Sequence, residues 1–448
     1  MEPVIRPGQD ASSLAAQIAQ GKLSAVELTN ACLAEIARHD AGVHAFTHVD
    51  RDGALAQAAA SDDRRGRGSV TSVIDGLPVA VKANLAVRGW PHTGGYGFLR
   101  DAVATDDAFV IERLRAAGAV LLGLTNMDEG GLGATTMNPW YGNTQNPRAP
   151  GCSAGGSSGG NAAALAAGFC AWAVGTDTIG SVRIPAAYCG VAALKPTFGA
   201  ISVRGALPNH HRFDHIGPMA RSVRDLGVAL DALVAHDPAC PVSFPVQLAA
   251  PGAHRTATRI GYLIGFDTLE PDTAVIAGYN HGIARLRERG HELVPVDATG
   301  WNLLAVRRAI FTLCEVEQAR RHRSRMATAP QSFSPALLAL LQFGAGRTSA
   351  DLERYERCVA TLYAIVFDTL RRMAALAMPT TPDVAFPLGG PTPKTSADLT
   401  CIASACGLPA VSVPAPRGSG LPVGIQLVGP AGSDREMLRI AAEIEEHA

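Results

Sequence analysis

The chain has 448 residues, 47% of them hydrophobic and 18% charged, with 39 Lys plus Arg against 40 Asp plus Glu. It can bury a substantial core, and it lacks the excess charge that would hold nucleic acid or an anionic membrane. Nine cysteines without dense or regular spacing predict reduced thiols in a cytoplasmic protein rather than a disulfide framework. The first ten residues carry no basic segment leading into an apolar run, so neither secretion nor a membrane anchor is expected. The apolar stretch Ala162–Val174 is too short to span a bilayer.

In chain order, residues 11 to 38 read as one or two helices with intermittent apolar faces, interrupted at Gly21–Ser24. Leu77–Lys82 is a compact, valine-rich run that fits a strand delivering Lys82 to the core. Asp107–Ala117 predicts a helix and Val120–Leu124 a buried strand, an alternation that argues for α/β construction. The Gly/Ser run Gly151–Gly160 is unsuited to regular helix, whereas Asn161–Gly168 is a strong helix former. Together they can aim backbone N–H groups and a helix N-terminus toward developing negative charge. Residues 238 to 255 read as an excursion or lobe boundary, and Arg259–Gly265, Thr273–Gly290 and His291–Val296 as strand, helix and strand. Residues 300 to 375 are helical with breaks at Ser332–Pro335 and Gly344–Arg347, the expected place for a variable substrate cover. Leu408–Pro414 and Leu421–Gly429 read as two strands.

Chemistry concentrates in three separated places: Lys82 in Val-Ala-Val-Lys-Ala-Asn, Ser157 in Gly-Gly-Ser-Ser-Gly-Gly, and Ser181 in Gly-Thr-Asp-Thr-Ile-Gly-Ser-Val-Arg-Ile-Pro. Hydroxyl-bearing residues among small ones, with one lysine, suggest an amide hydrolase built on two serines and a lysine. These motifs resemble the amidase signature family in order and in the Ser157 to Ser181 interval. Asn126–Glu129, Asp214–Met219 and Gly407–Pro414 add to the match, which is strongest from Gly76 to Thr197 and runs over nearly the whole chain. The resemblance implies a single domain over 1–448 with an amidase signature fold, a central mixed β-sheet flanked by helices. Its catalytic core segment would be 71–235.

Carried over residue by residue, the resemblance makes Ser181 the nucleophile, Ser157 the bridging hydroxyl and Lys82 the terminal base. A neutral Lys82 would take the proton of Ser157 while Ser157 takes that of Ser181, burial having lowered the lysine pKa. It also implies a cis peptide bond between Gly156 and Ser157, and an oxyanion hole from the main-chain N–H groups of Thr178, Ile179, Gly180 and Ser181. Two positions depart from the family pattern: Ile179 stands where glycine is common, and Ala83 where an acidic residue is frequent. Ile179 suits an oxyanion turn only if that position has ordinary backbone angles. Ser158, Asp177 and Arg183 are expected to support the loops, and Met127, Asp128 and His215 are substrate-pocket candidates. Cys152 and Cys189 read as small buried side chains, and His322, among arginines, as part of a solvated helical face.

No cofactor and no metal are expected: His210, His211 and His215 cluster with Asp214, but Pro208 and Asn209 favour a loop over a helical ligand pair. The leading expectation is hydrolysis of a small carboxamide to a carboxylate and ammonia through a Ser181 acyl-enzyme. Asp214–Pro218 and the residue at 179 look like the biuret hydrolase branch, with a nitrogen-rich amide as substrate. Asn126–Glu129 resembles amidotransferase A subunits, a role in which nucleic acid enters only indirectly, through partners. A non-catalytic, amidase-like binding or structural protein is the remaining alternative. Partners expected beside the small amide are a second copy of the chain or a small accessory subunit, and no membrane.

Overall fold

The computed structural model describes residues 9–249, 258–415 and 420–445. Part of the predicted excursion at 238–255 therefore lies outside the described residues, as do most of the first ten residues. One eleven-stranded mixed sheet runs through the molecule in the order Phe46–Val49, Val120–Thr125, Pro78–Lys82, Trp172–Asp177, His215–Ala220, Ala192–Lys195, Ala410–Pro414, Gly424–Val428, Ala375–Pro379, Arg259–Ile264 and Glu292–Asp297. Helices flank it, giving the α/β class that the alternating sequence pattern predicts.

Local sequence sets the element boundaries. Ser24 caps the helix Ala25–Val43 in a reciprocal box with Glu27, after a turn over Gln20–Leu23. The strand Pro78–Lys82 is buried along its whole length, as a strand covered on both faces must be, and pairs in parallel with Val120–Thr125 and Trp172–Asp177. Parallel pairing puts the C-terminal residues Lys82, Thr125 and Asp177 at one end of the sheet. The antiparallel strand His215–Ala220 starts at that same end, with His215 opposite Asp177. Loops leaving this end converge on one place, where α/β sheets form their sites.

Residues 300 to 375 form the expected helical layer: Leu303–Arg321, Arg323–Thr328, Pro335–Ala345 and Ser349–Leu370. Leu303–Arg321 packs against both longer neighbours. Gly344 lets two of these backbones approach closely, because a Cβ there would lie 2.5 Å from the carbonyl carbon of Glu315. Gly344→Ala gains about 1 kcal/mol in helix propensity, but overpacking a backbone contact costs about 1–3 kcal/mol. The expected outcome is a net loss of stability, read as a lower urea midpoint at unchanged slope.

Candidate active site

Lys82 is fully buried at the end of its strand, and its Nζ donates to Ser157 Oγ at 2.8 Å and to Thr176 Oγ1 at 2.9 Å. Asn84 Nδ2 donates to the same threonine oxygen at 3.0 Å, so Thr176 and Asn84 hold the hydroxyl against which the amine rests. Burial, the dominant effect, lowers the Lys82 pKa to about 7 despite the pull of Asp128, Asp177 and Asp214. Ala83, where an acid is frequent in the family pattern, is buried and donates its N–H to Thr125 O.

The Gly156–Ser157 peptide bond is cis. A Cβ on Gly156 would overlap the carboxylate of Asp128, which accepts the N–H groups of Thr135 and Thr136 at 3.1 and 2.9 Å. Thr136 Oγ1 in turn donates to Gly155 O and accepts the N–H of Gly159. The N–H of Ser158 donates to Ser181 O at 3.0 Å, fastening one serine loop to the other, and the Ser158 hydroxyl donates to Thr176 O. These bonds correct one expectation. The N–H groups of Ser158, Gly159 and Gly160 at the helix N-terminus are committed to Ser181 O, Thr136 Oγ1 and Asn126 O, so they do not face a reacting oxygen.

The free donors lie one loop later. Among the described residues, no acceptor engages the main-chain N–H groups of Thr178, Ile179, Gly180 or Ser181. All four residues line a cavity of about 400 Å³. Gly180 takes φ 140°, and a Cβ there would overlap Thr400. Ile179 is not among the residues with positive φ, so its side chain sits on ordinary backbone while Thr400 Oγ1 draws its carbonyl aside at 2.5 Å. Ser181 stands in the cavity wall, 8% exposed. Among the described residues its hydroxyl has no hydrogen bond to Ser157. The chain of contacts is closed from Lys82 to Ser157 and open at Ser181.

Asp177 and Arg183 form a fully buried bidentate pair at 2.9 Å. The remaining guanidinium hydrogens go to Thr400 O, Gln426 Oε1 and Ser404 Oγ, so all five donors are used. Burial alone would raise the Asp177 pKa; the Arg183 charge outweighs it and holds the carboxyl at about 2. The carboxylate is thus already neutralised and also accepts the N–H of Val182, next to the nucleophile candidate.

Three pocket candidates fall elsewhere. Met127 is buried in the core, Asp128 braces the turn beneath Gly156, and His215 packs against Phe198 with its Nε2 3.1 Å from Lys195 Nζ. None of the three lines the cavity, because each side chain points into the protein interior from its own element. The cavity's second wall comes from Gly131–Ala134, from Arg307, Arg308, Phe311 and Cys314 on one helix, and from Thr392–Lys394, Ser396 and Ala397. Sequence reasoning placed that helix in a substrate cover but named none of these residues. A larger cleft of about 610 Å³ lies along the helix Ala11–Ala19 and meets Trp172 at the opposite end of the strand that leads to Asp177, without a serine and lysine pair.

His210 and His211 meet Glu317, but His210 Nδ1 accepts the N–H of Arg212, which leaves the ring hydrogen on Nε2 facing the carboxylate. His210 is therefore the neutral ring, its pKa lowered to about 4 chiefly by burial, and the ligand atoms of His210, His211 and Glu317 lie within 4.8 Å of one another. His322 is not on a solvated face: its ring packs edge-on to Tyr96, Phe98 and Phe333. All nine cysteines are free thiols; Cys189 is buried, and Cys152 is only half-buried. No helix among the described residues is long and apolar enough to cross a membrane.

The family model described as Amidase matches residues 27–438. The chain belongs to the amidase signature family. The A subunit of the glutamyl-tRNA(Gln) amidotransferase of Chloroflexus aggregans is 36% identical over 94% of this chain and 93% of its own length. Its counterpart from Streptomyces avermitilis is 34% identical over 97% and 94%. Among solved structures, a chain from a vestigial protein complex bearing on the evolutionary origins of an s-triazine catabolic enzyme superposes with TM-score 0.90. It is 34% identical and covers 97% of this chain and 98% of that one. The protein is accordingly an amidase signature enzyme acting on C–N amide bonds.

The buried pair yields a stability prediction. Arg183→Met would leave Asp177 charged and unpaired in the interior, a loss of about 3–5 kcal/mol. Equilibrium unfolding in urea should show it, and an unchanged midpoint would mean that Asp177 finds another partner.

Proposed function

We propose that the enzyme hydrolyses a small carboxamide to a carboxylate and ammonia through an acyl-enzyme on Ser181. The observation that carries this reading is the run of four unengaged N–H groups at Thr178–Ser181 beside a serine, a hydroxyl away from a buried lysine of lowered pKa. In this mechanism rotation of the Ser181 side chain brings its hydroxyl to Ser157. Ser181 passes its proton to Ser157 as Ser157 passes its own to neutral Lys82, and the Ser181 oxygen attacks the amide carbon. The oxyanion lies against the free N–H groups. Protonated Lys82 returns a proton through Ser157 to the departing nitrogen, ammonia leaves, and water then cleaves the ester by the same relay. Asp177, Arg183 and Ser158 hold the two loops in place.

The cavity suits an amide with an anionic far end. Lys394 lines it and makes no ion pair among the described residues, whereas Arg307 is paired with Asp398 and Arg308 with Glu315. A second reading, a glutamine-hydrolysing subunit working with partners, is favoured by the 36% identity to an amidotransferase A subunit along 94% of the chain. A third, a nitrogen-rich amide such as biuret with a small accessory subunit, draws on the s-triazine-related complex.

Ammonia release from propionamide, malonamate, glutamine and biuret separates these. Malonamate turnover above propionamide, lost in Lys394→Met, supports the anionic-amide reading; glutamine turnover that needs a copurifying protein supports the second, and biuret turnover the third. In every case Ser181→Ala should abolish release, and unchanged release would end the proposal.

The pH dependence follows from Lys82. Its amine must be neutral to accept a proton, so kcat/KM should rise about tenfold per pH unit below pH 7 and level off above it, about the pKa of 7. Lys82→Met should lower the plateau and remove this limb. A limb retained in Lys82→Met would assign it to another group.

A further inference from the structure

A file of buried amides connects the oxyanion turn to the helical wall across the cavity. Gln318 is 1% exposed and uses all its main valences: Oε1 accepts from Tyr96 Oη at 2.7 Å, and Nε2 donates to Gly130 O at 2.8 Å and to Asn209 Oδ1. Asn209 Nδ2 donates onward to Thr178 Oγ1 at 3.3 Å, and that hydroxyl donates to Asp214 Oδ1 at 2.8 Å. The donors run in one direction, from Tyr96 to the carboxylate, so each bond polarises the next. Asp214 also accepts the N–H groups of Asn209 and His210, which fixes the end of the file to its own loop.

Two features show that the backbone is shaped around these side chains. A Cβ on Gly131 would lie 2.7 Å from Asn209 Nδ2, and one on Gly130 would lie 2.5 Å from Tyr96 Oη. Gln318 also continues the face of Leu303–Arg321 that carries Arg307, Phe311 and Cys314, at spacings of four, three and four residues. The same helix face therefore forms a cavity wall and, one turn on, connects through Asn209 to Thr178, the first residue of the turn whose N–H groups are free.

We propose that Gln318 and Asn209 are positioning residues that hold the Thr178–Ser181 turn in register with the helical wall, so that the stabilisation of the oxyanion depends on the seating of helix Leu303–Arg321. This rests on the Ser181 reading above. Neither side chain needs to touch the reacting atoms: Thr178 Oγ1, held between Asn209 and Asp214, fixes the torsion of the residue that begins the turn. A small displacement of such donors far outweighs the loss of one neutral hydrogen bond, because donors about 1 Å out of place cost about 100-fold in rate.

The test uses an alkyl fluorophosphonate, which labels a nucleophilic serine by forming an Oγ–P bond while the P–F bond breaks. Fluoride leaves, and the serine proton passes to the base. Its phosphonyl oxygen needs the same N–H groups as an oxyanion. Labelling of Ser181 is followed by mass spectrometry at several probe concentrations and pH values in wild type, Gln318→Met and Thr178→Val. Thr178→Val keeps the shape and removes only the linking hydroxyl. Tyr279→Phe, whose hydroxyl donates to Leu263 O and Ala377 O in a distant layer, controls for lost stability.

The expected result in both variants is a maximal labelling rate about 10- to 100-fold lower, with the half-saturating probe concentration within about threefold and the pH midpoint near that of wild type. Tyr279→Phe should label at the wild-type rate. Maximal rates within twofold of wild type in both variants would overturn the inference, as would a loss confined to half-saturation or a displaced pH midpoint, which would assign the residues to the wall or to Lys82. Wild-type protein unlabelled at Ser181 would instead overturn the proposed function and this inference with it.

Discussion

The arrangement depends on taking one amine out of water at the end of a strand that is buried along its whole length. Among the described residues the buried Lys82 amine meets hydroxyls and a carbonyl but no contacting carboxylate, and its pKa falls to about 7, through burial first. A carboxylate in contact would reverse that effect. Asp177, on the neighbouring parallel strand, is close enough to favour the charged amine, yet Arg183 saturates it with two hydrogen bonds. Using all five guanidinium donors on Asp177, Thr400, Gln426 and Ser404 keeps a strong charge in the interior without letting it govern the lysine.

A second buried lysine shows that a depressed pKa alone does not choose a base. Lys195 also falls to about 7, through burial first and Arg183 next. Its Nζ meets Pro196 O and His215 Nε2, away from the cavity residues, so no hydroxyl stands between it and a substrate. Geometry separates the two where titration does not. His215 matches a family segment in sequence, and in space it is the partner of this second lysine.

Much of the sheet was legible because the signals were local: Pro78–Lys82, Val120–Thr125 and Arg259–Ile264 are apolar runs between clear turns. Trp172–Asp177 was not, since its Gly175 and the alanines before it blur into the preceding helix-forming run. The serine and lysine motifs could be read because each packs its chemistry into a few adjacent residues. Thr176 and Asn84 stood inside those motifs, but nothing in one dimension says that both would converge on one amine. Met127 and Asp128 lie in a motif match, yet both are buried and neither lines the cavity, which a linear motif does not reveal. The free N–H groups at Thr178–Ser181 depend on which neighbouring donors are already committed, and that accounting exists only in the folded chain.

The two walls of the cavity differ in origin. One is made by loops leaving the ends of paired strands, whose position is set by the sheet register. The other comes from a helix face and the segment 392–397, positioned by side-chain packing such as the Gly344 approach and the Arg307 and Arg308 ion pairs. Packing contacts tolerate substitution when volume is kept, whereas a sheet register does not slip without turning every side chain over. Relatives that share the fold at 34% identity can therefore keep the first wall and differ in the second. Amide chemistry then follows from family membership, whereas the identity of the amide, on the function proposed above, is set by wall residues such as Phe311, Cys314 and Lys394. The file from Tyr96 through Gln318 to Thr178 joins the two walls, so on the inference above a change in the helical wall reaches the donors of the loop wall.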